Sequence, residues 1–190
     1  MQALTVLCLT LVGVSHPVYG ATVGFQPAVT WPVGTAPLAA AAADFNCDGK
    51  TDLAIANNGD AGAGDDGSVS VLLGNGDGTF RPAHTFAVGK NPFATGAADF
   101  YGDGKADLAL INLSGLGILL SNGDGTFGLV TYFPTAPGPA SLAVSDLDGD
   151  NSLDLVVAAS SLSVLLGPGF RRTRRDARAK QERLAVFTPA

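Results

Sequence analysis

Three nine-residue segments, alike in spacing and set in phase along the chain, limit what this sequence can fold into. They are Asp44-Phe45-Asn46-Cys47-Asp48-Gly49-Lys50-Thr51-Asp52, Asp99-Phe100-Tyr101-Gly102-Asp103-Gly104-Lys105-Ala106-Asp107 and Asp146-Leu147-Asp148-Gly149-Asp150-Asn151-Ser152-Leu153-Asp154. An apolar run follows each, and a recurring turn follows the run. That turn is Leu72-Leu73-Gly74-Asn75-Gly76-Asp77-Gly78-Thr79-Phe80, then Leu119-Leu120-Ser121-Asn122-Gly123-Asp124-Gly125-Thr126-Phe127, then a shortened Leu165-Leu166-Gly167-Pro168-Gly169-Phe170. Phe25, Phe80, Phe127 and Phe170 mark repeats of 55, 47 and 43 residues, at about 25–80, 80–127 and 127–170. The first is long because Asn57–Gly67 reads as a loop insertion. Periods of roughly 40–50 residues are the size of a propeller blade.

Each repeat divides into four short strands. A small-residue strand comes first, at Leu38–Ala43, Phe93–Ala98 and Ser141–Ser145. The acidic turn leads to an apolar strand at Asp52–Ala56, Asp107–Ile111 or Asp154–Ala158. A third strand, Ser68–Leu73, Gly115–Leu120 or Leu162–Leu166, runs into the recurring turn, whose Asn-Gly and Asp-Gly pairs favour tight hairpins. The fourth begins near the marker phenylalanine, at Phe25–Val33, Phe80–Val88 and Phe127–Phe133. Alanine, glycine and serine suit an innermost first strand, where neighbouring sheets crowd a common axis. Strands at this spacing, with no helical periodicity, predict an all-β chain of about three four-stranded antiparallel propeller blades. A generic meander or sandwich would fit the strands but would leave the in-phase acidic loops a coincidence. Closed propellers hold about four to eight blades. Three therefore predict an incomplete propeller, either a fragment of a longer protein or an oligomer that completes the ring with other chains.

The acids agree with this reading. Of 17 Asp plus Glu, 16 are Asp, and the single Glu is Glu182. Residues 1–170 hold 15 Asp against Lys50, Arg81, Lys90 and Lys105, a net of −11; the last twenty residues carry +5, which together give −6. Glutamate suits helix surfaces, so a body without it, in a chain with 25 Gly and 11 Pro, argues against a helical domain. That body also lacks a basic face for phosphate, which argues against a nucleic-acid partner.

The acidic loops carry the chemistry. Oxygen side chains at positions 1, 3, 5 and 9 converge if the chain wraps a centre, and glycine at position 6 permits the sharp turn. The carbonyl of position 7 (Lys50, Lys105 or Ser152) can complete the shell. Ca²⁺ takes six to eight oxygens at about 2.3–2.6 Å, and such a loop supplies most of them. An EF-hand or dockerin loop opens similarly but needs an acid at position 12 and a helix beyond it. Position 12 here is Ile55, Leu110 or Val157, inside an apolar strand. The expectation is up to three bound Ca²⁺, against the plainer alternative of solvated turns. The charge count ranks the third loop tightest and the second weakest.

Asp-Phe-Asn-Cys-Asp-Gly-Lys-Thr-Asp-Leu, with Ser-Val-Leu-Leu-Gly-Asn-Gly-Asp-Gly-Thr-Phe after it, resembles the FG-GAP or VCBS type of repeat over about residues 25–170. The resemblance implies an integrin-alpha-like β-propeller with Ca²⁺ in the hairpin between the first two strands of a blade. Carried over by position, it implies the ligands Asp44, Asn46, Asp48 and Asp52; Asp99, Asp103 and Asp107; and Asp146, Asp148, Asp150 and Asp154. Two positions depart from the pattern: Tyr101 replaces an oxygen ligand, so a water or carbonyl must substitute, and Asn151 replaces the turn glycine. Cys47 stands where the family usually has glycine and reads as a tolerated small residue.

The remaining segments bear on location and activity. Ala3–Val14 is apolar but shorter than the roughly 20 residues of a bilayer span. Val18-Tyr19-Gly20 before Ala21 suits a signal-peptidase site, so residues 1–20 are expected to be a secretory signal, with a buried strand or uncleaved anchor as the alternative. Its removal leaves Cys47 without a disulfide partner and the chain without a membrane candidate. Residues 171–190 are basic and foreign to what precedes them; a solvated or non-native terminus is preferred over a basic helix that touches acidic partners or membrane. No catalytic motif occurs, His84 is the one histidine outside the leader, and Asn112-Leu113-Ser114 fits a glycosylation sequon of a kind frequent by chance. The expected function is a secreted or cell-surface, non-catalytic module that binds an extracellular protein or glycan, as in adhesion. The alternative is a fragment or accessory domain of a larger extracellular enzyme.

Overall fold

The computed structural model describes residues 27–59 and 66–167. The expected leader, the basic tail, the shortened turn beyond Gly167 and most of the inserted loop lie outside them. The chain divides into two units, Met1–Thr30 and Trp31–Ala190. Of the first, residues 27–30 are described and carry no strand. All the β structure below belongs to the second.

Eleven strands are described, and all pairings are antiparallel. Sheet one runs β1 (Pro37–Ala43), β2 (Asp52–Asn57), β3 (Ser68–Leu72), β4 (His84–Ala87). Sheet two runs β5 (Ala94–Ala98), β6 (Asp107–Asn112), β7 (Gly115–Leu119), β8 (Thr131–Phe133). Sheet three holds β9 (Ser141–Ser145), β10 (Asp154–Ala158) and β11 (Leu162–Leu165). Strands that follow one another in sequence are neighbours in space, the up-and-down order of a propeller blade. The first strands β1, β5 and β9 pack one against the next, as their small residues require. Among the described residues there is no helix, and the sheets do not close into a ring.

The outer strands depart from the sequence reading. Residues 27–33 form no strand, where one was expected from Phe25 to Val33. Phe80 and Phe127 do open the outer strands, but only through isolated bridges to Gly74 and Ser121. Regular pairing resumes at Val71↔His84 and Ile118↔Thr131. From bridge to strand the inner partner takes three steps and the outer strand four, so one extra residue bulges out in both sheets. In sheet one that stretch contains Pro82, which has no N–H to give to the ladder.

Alternation sets the core. Leu108 and Leu110 point from β6 toward sheet one, where they join Phe45, Ala54, Val69, Val71 and Val88. Ala109, Ile111, Leu116 and Ile118 point the other way and pack against Leu155 and Val157. Sheet two is thus covered on both faces, and every residue of β6 and β7 is buried. A strand enclosed in this way needs a continuous apolar run instead of a half-polar one, and Leu108–Ile111 is such a run. The marker Phe127 sits edge-on to Phe45 (5.5 Å between ring centres) and to Phe86 (5.7 Å), locking sheet two to sheet one.

Leu110→Ala removes a fully buried side chain from that junction and is expected to cost about 2–5 kcal/mol. Urea denaturation checks this; a loss well under 1 kcal/mol would mean that the sheets are not packed as described.

Candidate metal centres

Each acidic loop joins the first and second strands of its sheet. Position 1 organises the turn: Asp44 accepts hydrogen bonds from the N–H groups of Asp48 (3.1 Å) and Gly49 (2.7 Å). Asp99 does the same for Gly102, Asp103 and Gly104, and Asp146 for Gly149, Asp150 and Asn151. Position 5 then accepts from the N–H of position 7, as Asp48 from Lys50, Asp103 from Lys105 and Asp150 from Ser152. Wrapping the chain this tightly needs positive φ at positions 4 and 6. The residues there are Cys47 (58°) and Gly49 (81°), Gly102 (71°) and Gly104 (87°), and Gly149 (78°) and Asn151 (64°). Asn151 is therefore a workable substitute for glycine. Cys47 holds a left-handed conformation unusual for its type and is exposed and unbridged.

Position 9 does something the sequence did not announce. Asp52 is fully buried. Its Oδ2 accepts the N–H of Phe45 (2.9 Å) and its Oδ1 that of Gly74 (2.7 Å). Asp107 accepts from Phe100, Tyr101 and Ser121, and Asp154 from Leu147 and Gly167. The same carboxylate thus ties the loop to the end of the third strand in all three sheets. The readable signal was the small residue after each Leu-Leu pair. A side chain built on Gly74 would meet the Thr51 carbonyl oxygen at 2.1 Å, and one on Gly167 the Leu153 oxygen at 2.6 Å. Surroundings tune these carboxyls differently. Burial pushes Asp107 up to about 6, opposed by its N–H partners and aided by the charges of Asp103 and Asp99. The N–H groups of Gly167 and Leu147 hold Asp154 below the usual range.

The three loops are not equally gathered. In the third, ligand oxygens of Asp146, Asp148 and Asp154 lie within 4.8 Å of one another. Two oxygens on one Ca²⁺ at about 2.3–2.6 Å stand at most some 5 Å apart, so this set matches a single ion. Asp150 is outside it, bonded to the loop backbone. Among the described residues, loops one and two bring no three carboxylates so close. In loop one Asn46 takes part through its amide, with Nδ2 donating to Asp48 and Oδ1 accepting the Asp48 N–H. Loops one and two also carry a lysine at position 7, and its ammonium lies 3.9 Å from Asp48 and 3.7 Å from Asp103. Loop three has Ser152 there, and among the described residues no cation pairs with its acids. Each carboxylate has about four lone-pair sites, and the backbone bonds use only some of them. The donors are all hard oxygens, the set that suits Ca²⁺.

The other residues marked in the sequence fall outside these centres. His84 stands exposed on β4, its ring 4.6 Å from that of Phe86. Asn112 of the sequon is fully buried, its amide donating to the Val88 carbonyl and the Tyr132 hydroxyl, so it is closed to glycosylation. Asp77 and Asp124 belong to the hairpins: each accepts both the hydroxyl (2.6 Å) and the N–H (2.9 Å) of the threonine two residues on.

Two outcomes follow. Asp52→Ala leaves two buried N–H groups unpaired, which is expected to cost on the order of 2–4 kcal/mol. Measured in chelator, that loss separates the backbone role from any cation; unchanged stability would refute it. The bonds from Thr79 and Thr126, hydroxyl first and N–H second, hold Asp77 and Asp124 below their ordinary 3.8. Folding therefore favours their ionised forms. The contribution is present above the unfolded value and is lost as pH falls through the lower folded one. NMR titration should place both carboxyls below 3.8, with Thr79 and Thr126 amide protection fading below that pH. A midpoint at or above the ordinary value would contradict these bonds.

Known proteins resemble this chain. A lectin from Agrocybe aegerita, whose structure was solved for its specific recognition of non-reducing terminal N-acetylglucosamine, is 26% identical with a TM-score of 0.49. The match covers 67% of this chain and 34% of that one, so the chain spans about a third of that protein's length. No curated protein matches. The FG-GAP-like repeat family matches over residues 44–110 and 99–157, two stretches that share the second loop, take in all three and cover more than half of the sequence. The chain belongs to the FG-GAP-like repeat family.

Proposed function

We propose that this chain is a secreted, Ca²⁺-binding repeat module that recognises an extracellular protein or glycan and has no catalytic role of its own. The observation that carries the cation reading is the convergence of Asp146, Asp148 and Asp154, on a loop whose spacing recurs twice more in the chain. Bound Ca²⁺ would supply positive charge where three or four carboxylates crowd nine residues. Asp44, Asn46, Asp48 and Asp52 would hold it in loop one, and Asp99, Asp103 and Asp107 in loop two. In loop three Asp146, Asp148, Asp150 and Asp154 would do so. The carbonyls of Lys50, Lys105 and Ser152 would complete the shells.

Recognition follows from what such loops do for a blade. They fix the hairpin between the first and second strands, so the surface there becomes rigid before a partner arrives and less ordering entropy opposes binding. The binding role is favoured over catalysis because the acids of the loops and hairpins are engaged in backbone hydrogen bonds, and His84 packs edge-on against Phe86. Among the described residues no helix is long and apolar enough to cross a membrane. Residues 1–20 are proposed as the secretory signal and 171–190 as a tail outside the repeat region.

Calorimetric Ca²⁺ titration is expected to resolve more than one site, with the tightest lost in Asp148→Ala and the weakest in Asp103→Ala. Both variants should keep their strand content. A flat titration of the full chain would overturn the cation reading, and a greater loss in Asp103→Ala than in Asp148→Ala would overturn the order. For recognition, a glycan array and an extracellular-protein pull-down are run with Ca²⁺ and with chelator. Binding that vanishes in chelator supports the module; no chelator-sensitive ligand in either format counts against it.

A further inference from the structure

The lysines at position 7 of loops one and two are set in the same way, and each touches the fifth carboxylate of its loop twice. Asp48 Oδ1 accepts the Lys50 N–H (2.9 Å), and its Oδ2 lies 3.9 Å from the Lys50 ammonium. Asp103 Oδ1 accepts the Lys105 N–H (3.1 Å), and its Oδ2 lies 3.7 Å from the Lys105 ammonium. In both loops the backbone bond goes to one oxygen and the ammonium faces the other.

The stems are placed as regularly, each over the recurring turn of its own sheet. A Cβ built on Gly76 would meet Lys50 Cδ at 3.3 Å, and one on Gly123 would meet Lys105 Cδ at 3.1 Å. The next residue of each turn is an aspartate, Asp77 or Asp124. Behind the hydroxyl and N–H of Thr79, the Lys50 charge favours the ionised form of Asp77; behind those of Thr126, Lys105 does so for Asp124. Each ammonium thus serves an acid of the loop and an acid of the hairpin. Repeat three changes both together: Ser152 replaces the lysine, and the turn Gly167-Pro168-Gly169-Phe170 contains no aspartate.

On the Ca²⁺ reading of these loops, we propose that the Lys50 and Lys105 side chains are internal counter-cations that set the ion affinity of loops one and two. Each steadies its loop without the ion and opposes the ion's entry. A cation bound through Asp48 or Asp103 meets a like charge a short distance away, and Coulomb repulsion falls only with the first power of that distance. The lysine carbonyl stays a candidate ligand, while the ammonium of the same residue acts against the ion. The lysine side chains are 41% and 37% exposed, so solvent and salt screen the effect to a modest factor.

Replacing lysine by methionine keeps an unbranched stem over the glycine and removes the charge. A Ca²⁺ titration followed by NMR, through the amide signals of Gly49 and Gly104, reads the two loops separately. Lys50→Met is expected to tighten loop one by about three- to tenfold and to leave loop two as it was. Lys105→Met should do the same for loop two alone. Lys50→Arg, which keeps the charge, should bind like the unmodified chain. In chelator the charge works the other way: hydrogen exchange at Gly49 should quicken in Lys50→Met and stay unchanged in Lys50→Arg. Unchanged or weaker Ca²⁺ binding in both methionine variants, or exchange in chelator that Lys50→Met does not alter, would overturn the proposal and leave the Ca²⁺ reading standing. A stem that only packs would give that result. A flat titration of the unmodified chain would overturn both.

Discussion

A buried carboxylate that accepts backbone N–H groups from two directions is the joint on which each sheet turns. At Asp52, Asp107 and Asp154 one set of bonds comes from the loop just before the strand, and another from residue 74, 121 or 167 at the far end of the hairpin. Remove the carboxylate and the loop loses its anchor, while main-chain donors on both sides lose their acceptor. Buried polar groups left unpaired are among the most damaging faults a fold can carry. Aspartate suits the position better than glutamate, because a shorter side chain reaches both donors from one Cα with fewer rotamers to freeze.

That joint also explains how so many acids tolerate one another. In each loop the first carboxylate is ringed by the N–H groups of the turn, and the fifth by the N–H of the seventh. Oriented backbone dipoles thus take up part of the negative charge before any cation does. Loops one and two add a lysine ammonium; among the described residues loop three has none. The gathering of three carboxylates occurs in the loop that has no lysine at its seventh position. The sheets differ in a parallel way. Burial raises the affinity of Asp107 for a proton, whereas the N–H bonds from Gly167 and Leu147 favour the charged form of Asp154.

The repeat was legible because its signals are local. The phase of the acidic loops, the Asn-Gly-Asp-Gly turns and the alternation of apolar residues placed the first, second and third strands of each sheet within a residue of their observed ends. Turn chemistry and side-chain period act over a few residues. They marked Asn151 as fit for a left-handed position, and it occupies one. The outer strands were less legible, since a bulge and a proline delay pairing after Phe80 without altering the apolar pattern.

Sequence by itself determined that this chain is a β repeat of blade size with three oxygen-rich loops in phase. Only the tertiary structure decided what those positions face. The partners of Asp52 and Asp107 lie 22 and 14 residues away, at the end of another strand. The sequon asparagine is enclosed because Tyr132, 20 residues on, closes over it. Whether an apolar face is core or open surface depends on the next sheet, not on its own residues: Val69 and Leu162 occupy the same register position, one buried and the other exposed. A local pattern carries period and turn type; burial and hydrogen-bond partnership are properties of the neighbours that the fold brings up.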